Sequence, residues 1–460
     1  MADAYNLIQK GNLYLSDCEW NKALKTFSSA LKNNPDDIDS LKGLAQAYEK
    51  LGKTQDEIDT YKRIIKLDPA SPQWYDRLGI IFSKLGMYDK SVALFKKAIE
   101  RSDDPVKTLT NLGVIYGEMG RYKKEVETYT QALKLRPDYA VAHYNLGYAY
   151  DNQGKTDEAI DSYRRAVELK PDYTAAYFNL AMLYVQKKQY DQAENALRKV
   201  IELDPDAKDA QIEIARVYTR SGRFEQAIEE YCLIISGDPD NPDAYYELAS
   251  VYGRCGRHED EIKALQEVIR IDPESTGAYN DMGFAYTQMR KYKEARCAYQ
   301  EAIDIDPDDS DAYYNMGMLF SQLGMYEEAL DALQSALDID PDDPETYNEL
   351  GIAYSKSGQS KEAILSYKKA IALDNRYSEA YANLGICYAD LGCYDMAIKA
   401  CRRALVIDRQ YRDPELYYSL GISYLHTGDR KSAAIQFELL QSKQSDLAEK
   451  LSAELNKHSA

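Results

Sequence analysis

The chain has 460 residues, with 57 Lys and Arg against 76 Asp and Glu, a formal net charge of −19. That acidity excludes nucleic acid as the main partner, since phosphate binding needs a basic surface, and no apolar run approaches the ~18 residues of a membrane span. Seven scattered cysteines, an odd number, predict reduced thiols in a cytoplasmic protein rather than a disulfide framework.

The N-terminal "MADAYNLIQKGNLYL" has no basic start followed by an apolar core, so no secretory leader is expected. From Tyr14 onward, an aromatic residue recurs every 34 positions: Tyr48, Phe82, Tyr116, Tyr150 and onward to Tyr388, then Tyr424 after a step of 36. Three residues before each aromatic stands Gly or Ala, as at Gly11, Ala45, Gly79, Gly113 and Gly147. Twelve residues after that small residue comes Ala in nine of the thirteen copies, which suits a close helix–helix contact. The copies usually close on Pro, as at Pro35, Pro69, Pro137 and Pro171.

Each copy therefore predicts two packed helices. Large residues three or four apart, such as Leu146 and Tyr150, make one apolar stripe. A Gly between the halves (Gly120, Gly154, Gly222, Gly324) ends the first helix, and the Pro stops the second. One pair cannot bury its own apolar faces, but stacked neighbours can. Glu57, Glu125, Glu261 and Ser91 stand where the other copies have the tightly packed Ala. A buried unpaired carboxylate is costly, so the three Glu heads are expected to reach water or a cation.

This pattern resembles the tetratricopeptide repeat family in its prokaryotic-type multi-repeat form. Repeat five, "VAHYNLGYAYDNQGKTDEAIDSYRRAVELKP", matches at almost every diagnostic position. The resemblance implies an all-α fold, a right-handed α-solenoid of about thirteen helix-turn-helix repeats over residues 1–444. The tail 445–460 then forms a C-terminal capping helix: Leu447, Leu451 and Leu455 share a face, and Ser445 or Asp446 can cap its start. The first copy begins near residue 4, so no other domain is expected at either end.

The family resemblance also implies that the first helix of each pair lines an inner groove through its second, fifth, sixth, ninth, twelfth and thirteenth repeat positions. Repeats two to four place Lys42, Gln46, Lys50, Arg77, Lys84, Lys107 and Asn111 there. Some relatives grip a terminal carboxylate with Lys and Asn in one repeat, Asn in the next, then Lys and Arg. Lys42 and Lys107 fit that clamp, whereas Gln46, Arg77 and Asn111 depart from it. A looser basic end favouring acidic or C-terminal segments is the expectation.

Repeats four to six carry Asn111, Asn145 and Asn179 at one position, with Tyr144, Tyr148 and Phe178 beside them. An Asn amide donates and accepts, so the stack is similar to the asparagine ladder of sugar-transferring relatives; the alternative is a common family residue choice. Residues 201–350 then hold 12 Lys and Arg against 35 Asp and Glu, so the whole negative excess lies there. Asp243, Glu247, Asp281, Asp311, Glu345 and Glu349 occupy groove positions, as do Asp209 and Glu213, and predict attraction for a basic segment. Helix capping and solvation explain many of the remaining acids.

Within this block "DIDPDDPETYNE" (338–349) has the acid spacing of a calcium loop. Its sixth position is Asp343 rather than the required Gly, so the acids are assigned to capping the helix that begins at Pro344. No phosphate-loop, dinucleotide, H-E-x-x-H or C-x-x-C motif is present. The histidines (His143, His258, His426, His458) are dispersed, and Cys387, Cys393 and Cys401 are assigned as structural thiols. The reading is a non-enzymatic scaffold for protein or peptide partners, without cofactor, metal, nucleic acid or membrane. An architectural spacer or self-assembling subunit is its alternative.

Overall fold

The computed structural model describes residues 2–411, 413–443 and 445–457. All its regular elements are helices, twenty-seven among the described residues, numbered along the chain from α1 (Ala2–Ser16) to α27 (Leu447–Lys457). Up to α26 (Arg430–Ser442), odd helices open a repeat and even helices close it. The chain divides into two compact units, Met1–Ser221 and Gly222–Ala460. The first ends with α13 (Lys208–Ser221) and the second opens with α14 (Phe224–Gly237), so the division falls inside the seventh repeat.

Local sequence sets the helix limits. Asp37, Asn241, Asp309, Asp343 and Asp413 cap first helices by accepting backbone N–H bonds, and Pro72, Pro242, Pro344 and Pro414 occupy first-turn positions where no N–H is missed. The acid-rich opening of α21 (Pro344–Lys356) follows this rule: Asp343 accepts from the N–H groups of Glu345 (3.2 Å) and Thr346 (2.9 Å). Asp204, Asp272, Asp306 and Asp340, each just before a closing Pro, fold the carboxylate back onto the backbone two residues on, as Asp306 does to Asp308 N–H at 3.0 Å. First helices end on a left-handed residue: Gly120 has φ +65° and Gly324 φ +74°. Cys18, Lys188 and Arg290 hold φ +58° at the same repeat position without being Gly.

The small residue of a first helix commonly seats a side chain sixteen positions later, and Gly421 of the last repeat meets Leu451 of α27 instead. A Cβ on Gly147 would stand 2.8 Å from the Tyr163 ring, and one on Gly283 or Gly351 would stand 2.5 Å from Tyr299 or Tyr367. Tyr163 and Tyr299 are almost wholly buried as a result, and Cys401 takes the same seat against Gly385. Cys401 and Cys387 are buried, as assigned; Cys393 is instead exposed at the start of a second helix.

The substituted Glu residues are largely buried, although Glu57 borders a pocket with Arg77 and Lys84 and Glu261 meets His258. Glu57, Glu125 and Glu261 are only 6%, 4% and 7% exposed. The space is made by glycine: a Cβ on Gly117 would lie 2.7 Å from Glu125 Oε1, and one on Gly253 2.6 Å from Glu261 Oε1. Burial and the nearby Glu118 push the Glu125 carboxyl up to about 7. Glu261 finds His258 Nδ1 at 2.8 Å, and Ser91 is satisfied by donating to Gly79 C=O at 2.8 Å.

Within each unit first helices of adjacent repeats touch directly. Examples are α5 (Pro72–Lys84), α7 (Val106–Glu118) and α9 (Ala140–Asp151) in the first unit. In the second unit they are α17 (Thr276–Gln288), α19 (Ser310–Gln322), α21, α23 (Ser378–Asp390) and α25 (Pro414–His426). At the end of the second unit, α27 buries Leu451 completely against the cluster around Leu416, Leu420 and Leu440, with Leu447 and Leu455 partly buried beside it. Ser445, not Asp446, contributes the side-chain cap, its Oγ accepting from Leu447 N–H at 3.3 Å.

Candidate peptide-binding face

In the first unit, Lys42 on α3 (Ile38–Lys50), Arg77 on α5 and Lys107 on α7 are exposed, and Asn111 is half-buried. Arg77 and Lys84 border a pocket of about 220 Å³ that also holds Glu49, Glu57 and Tyr61. Burial and Glu49 push the Glu57 carboxyl up to about 7, against the pull of Lys84 and Arg77. The positive charge of this end is therefore offset locally by two carboxyl groups, a compensation the sequence reading missed.

Tyr144 and Asn145 on α9, and Phe178 and Asn179 on α11 (Thr174–Gln186), are half-buried; Tyr148 is 52% exposed. Asn179 Nδ2 donates to the hydroxyls of Tyr144 and Tyr163, 3.3 Å each. The Tyr144 ring packs on Tyr173 with centroids 4.8 Å apart. Part of the asparagine ladder thus bonds its own protein, while Asn111 and Asn145 make no side-chain hydrogen bond among the described residues.

The Tyr144–Asn179 bond is one rung of a recurring device. It joins the fifth position of one repeat to the sixth position of the next, 35 residues on. In the second unit the Tyr246 hydroxyl donates to Asp281 across the same interval, and Asn383 Nδ2 donates to Asn348 Oδ1 at 3.0 Å. Burial pushes the Asp281 carboxyl upward, and the Tyr246 bond pulls it back in part. Glu247 lies 3.5 Å from the Tyr231 hydroxyl.

Between these rungs two are missing. Asn280 turns to the helix cap Asp309, donating at 3.0 Å, and leaves Asn315 without a side-chain bond. Glu349 stands opposite Tyr314 with no hydrogen-bond distance between them and no ion-pair partner among the described residues. Burial and Glu379 push the Glu349 carboxyl up to about 7. Burial and the carboxylates Glu349 and Glu345 push the Tyr314 hydroxyl well above its ordinary value, and burial with Glu379 does the same to Tyr377. Asp243, Asp311 and Glu345 are exposed on their first helices.

The sequence reading did not single out Tyr314, Tyr377, Glu379, Asn315, Phe284 or Met318. Reading every residue type at the fifth, sixth and ninth repeat positions finds all but Tyr377 and Glu379, since Glu379 occupies position two and Tyr377 ends the preceding turn. The histidines converge on nothing: His143 holds Pro137 C=O, His258 holds Glu261, and His426 stacks on Tyr394. His458 lies outside the described residues. No helix among those described is long and apolar enough to cross a membrane.

Comparison with known proteins bears on the repeats themselves. Models described as "Tetratricopeptide repeat" match residues 8–72, 73–105, 332–364 and 378–411. A "TPR repeat" model matches 115–154 and 355–392, and the "Cilia and flagella-associated protein 70 C-terminal domain" model matches 140–343. Hsp70-Hsp90 organizing protein 3 of Arabidopsis thaliana is 33% identical over 73 residues, 16% of this chain and 13% of that protein. The TPR repeat-containing protein MJ1428 of Methanocaldococcus jannaschii is 41% identical over 58 residues, 13% of this chain and 10% of that protein. These matches span only about an eighth and a tenth of the relatives' lengths.

Among solved structures, the Cut9–Hcn1 assembly of the APC/C is similar over 99% of this chain and 96% of that one, at 17% identity and TM-score 0.44. YrrB, described as a TPR protein with an unusual peptide-binding site, is similar over 42% of this chain and 99% of its own, at 23% identity and TM-score 0.36. With repeat-family models matching along both units, the chain belongs to the tetratricopeptide repeat family.

Proposed function

We propose that the protein is a non-enzymatic interaction scaffold that holds extended peptide segments along its first helices, with the acidic repeats of the second unit taking a basic segment. The family membership supports a protein-interaction scaffold. The finer reading rests on one observation: from Cys297 to Ser355 the chain has no Lys, Arg or His against fifteen acids. Many of those acids are used as caps and turn anchors, but Asp311, Glu345 and the half-buried Glu349 stand on first helices without a counter-ion among the described residues. A field of this sign draws in a cationic chain and speeds its encounter at low salt.

The test is fluorescence anisotropy of labelled basic, acidic and neutral peptides of one length against the full chain, at low and at physiological ionic strength. Binding confined to the basic peptide and weakened by salt supports the reading. Equal affinity for all three, or affinity indifferent to salt, overturns it. Light scattering across concentration detects self-association, the architectural alternative.

A further inference from the structure

The two unmade rungs open onto one cavity. It has a volume of about 410 Å³ and lies between α17, α19 and α21, with Tyr299 from a second helix among its lining residues. Phe284 and Met318 form apolar walls, and they are 51% and 39% exposed although no described residue covers them. Asn315 and Glu349, the two side chains without a rung partner, line the same cavity. Elsewhere in the second unit the equivalent side chains bond across repeats, as Tyr246 to Asp281 and Asn383 to Asn348.

An open aromatic and thioether wall ending at a lone carboxylate has a specific complement. A long cationic side chain lays its methylene stem on apolar surface and keeps its charged head on an acceptor. Met and Phe surfaces suit such a stem, and Glu345 on the same helix and Glu379 on the next first helix add to the negative sign. An acidic side chain would be repelled, and a short polar one would leave the apolar walls wet. Asn315 has both a donor and an acceptor to offer the backbone of the incoming strand.

We propose that this cavity is a subsite for one lysine or arginine side chain of an extended peptide, its stem on Phe284 and Met318, its head on Glu349, and its backbone held by Asn315. This deepens the basic-segment reading above and rests on it. Glu349 is the residue that decides specificity, because it supplies the only carboxylate lining the cavity.

The experiment uses the full chain labelled with ¹³C at the methionine ε-methyls, the Met318 signal being assigned by Met318→Leu. The probes are a fluorescein-labelled basic peptide with a central lysine, and the same peptide with that lysine replaced by arginine, norleucine or glutamate. The lysine and arginine peptides should move the Met318 signal to saturation in step with anisotropy. Norleucine or glutamate at that place should weaken binding about tenfold or more, as expected when a charge-assisted bond is lost. Glu349→Gln should remove the preference for lysine over norleucine, and Phe284→Ala, at an exposed site, should weaken both peptides without abolishing the preference.

If the lysine peptide binds while the Met318 signal stays fixed, or if Glu349→Gln leaves the lysine preference intact, the cavity assignment is overturned and the basic-segment reading survives. If no basic peptide binds, both fall together.

Discussion

Replacing the buried Glu125 tests how the repeat interior tolerates charge. The residue is 4% exposed, and its carboxyl is pushed from an ordinary 4.5 to about 7 by burial, with Glu118 adding to the push. A group that binds its proton more tightly when folded stabilises the fold below its unfolded value. That contribution disappears as pH rises through its folded value. At about 1.4 kcal/mol per unit, ionising Glu125 costs the fold about 3 kcal/mol between pH 4.5 and pH 8.5.

Gly117 provides the second arm of the test, because a Cβ there would lie 2.7 Å from Glu125 Oε1. Gly117→Ala alone should destabilise by about 1–3 kcal/mol through overpacking. The double variant Gly117→Ala with Glu125→Ala rebuilds the small-residue contact used by the other repeats and should be at least as stable as the parent at pH 8.5. Urea titrations followed by circular dichroism at half-unit steps from pH 5 to 8.5 give the difference between parent and double variant. Taking that difference removes the background from the chain's net charge. The double variant's advantage should grow by about 2–3 kcal/mol across this window, and the two substitutions should be strongly non-additive. A difference flat in pH would refute the reasoning, because it would mean the Glu125 carboxylate is solvated or neutralised.

Lys188→Gly and Arg290→Gly, which relieve a left-handed residue at φ +58°, should each stabilise by about 1 kcal/mol, read as a rise in the urea midpoint. Asp343→Ala removes the cap of α21 and should cost about 1 kcal/mol, with hydrogen exchange accelerated first at Glu345 and Thr346; unchanged exchange would remove the capping assignment. Affinity for the lysine peptide should rise about tenfold from pH 6 to pH 8, because a bound cation favours ionised Glu349, whose carboxyl titrates at about 7 in the free protein. Glu345, Glu379 and the upward-shifted Tyr314 and Tyr377 hydroxyls face that carboxyl; a slope that persists in Glu349→Gln would assign the effect to them instead.

The hairpins were legible because each contact that defines them repeats thirteen times. A small residue at one position and an aromatic three residues later survive as a period even where single copies drift. The cap Asp343, the left-handed Gly120 and Gly324, and the buried Leu451 of the tail all stand as their residue types dictate. How deeply the substituted Glu residues are buried was not legible, because the compensation is eight residues upstream in the partner helix. Gly117 and Gly253 look like ordinary polymorphism of a helical position until the carboxylates of Glu125 and Glu261 are seen filling the space they leave. A glutamate at the tight position paired with a glycine eight residues earlier is a signal that sequence alone contains. Glu57 shows its limit, since Glu49 stands where the glycine would be and the site opens as a pocket instead.

The binding face was legible as a set of positions but not as a set of free groups. A repeat position tells which way a side chain leaves its helix; it does not tell whether a neighbour 35 residues away has already taken its hydrogen bond. Asn179 and Asp281 were marked as groove residues alongside Glu349, and all three occupy the same position. The first two are held by Tyr144 and Tyr246, whereas Glu349 has no such bond from Tyr314 and only its chain neighbour Asn348 touches its carboxyl. What distinguishes them is the residue at the fifth position one repeat earlier and where its own bond goes. Asn280 spends its amide on the cap Asp309, and that one choice leaves Asn315 open. Availability is thus a property of a pair of repeats, so a substitution at Asn280 or Tyr314 should alter binding at a cavity that neither side chain lines.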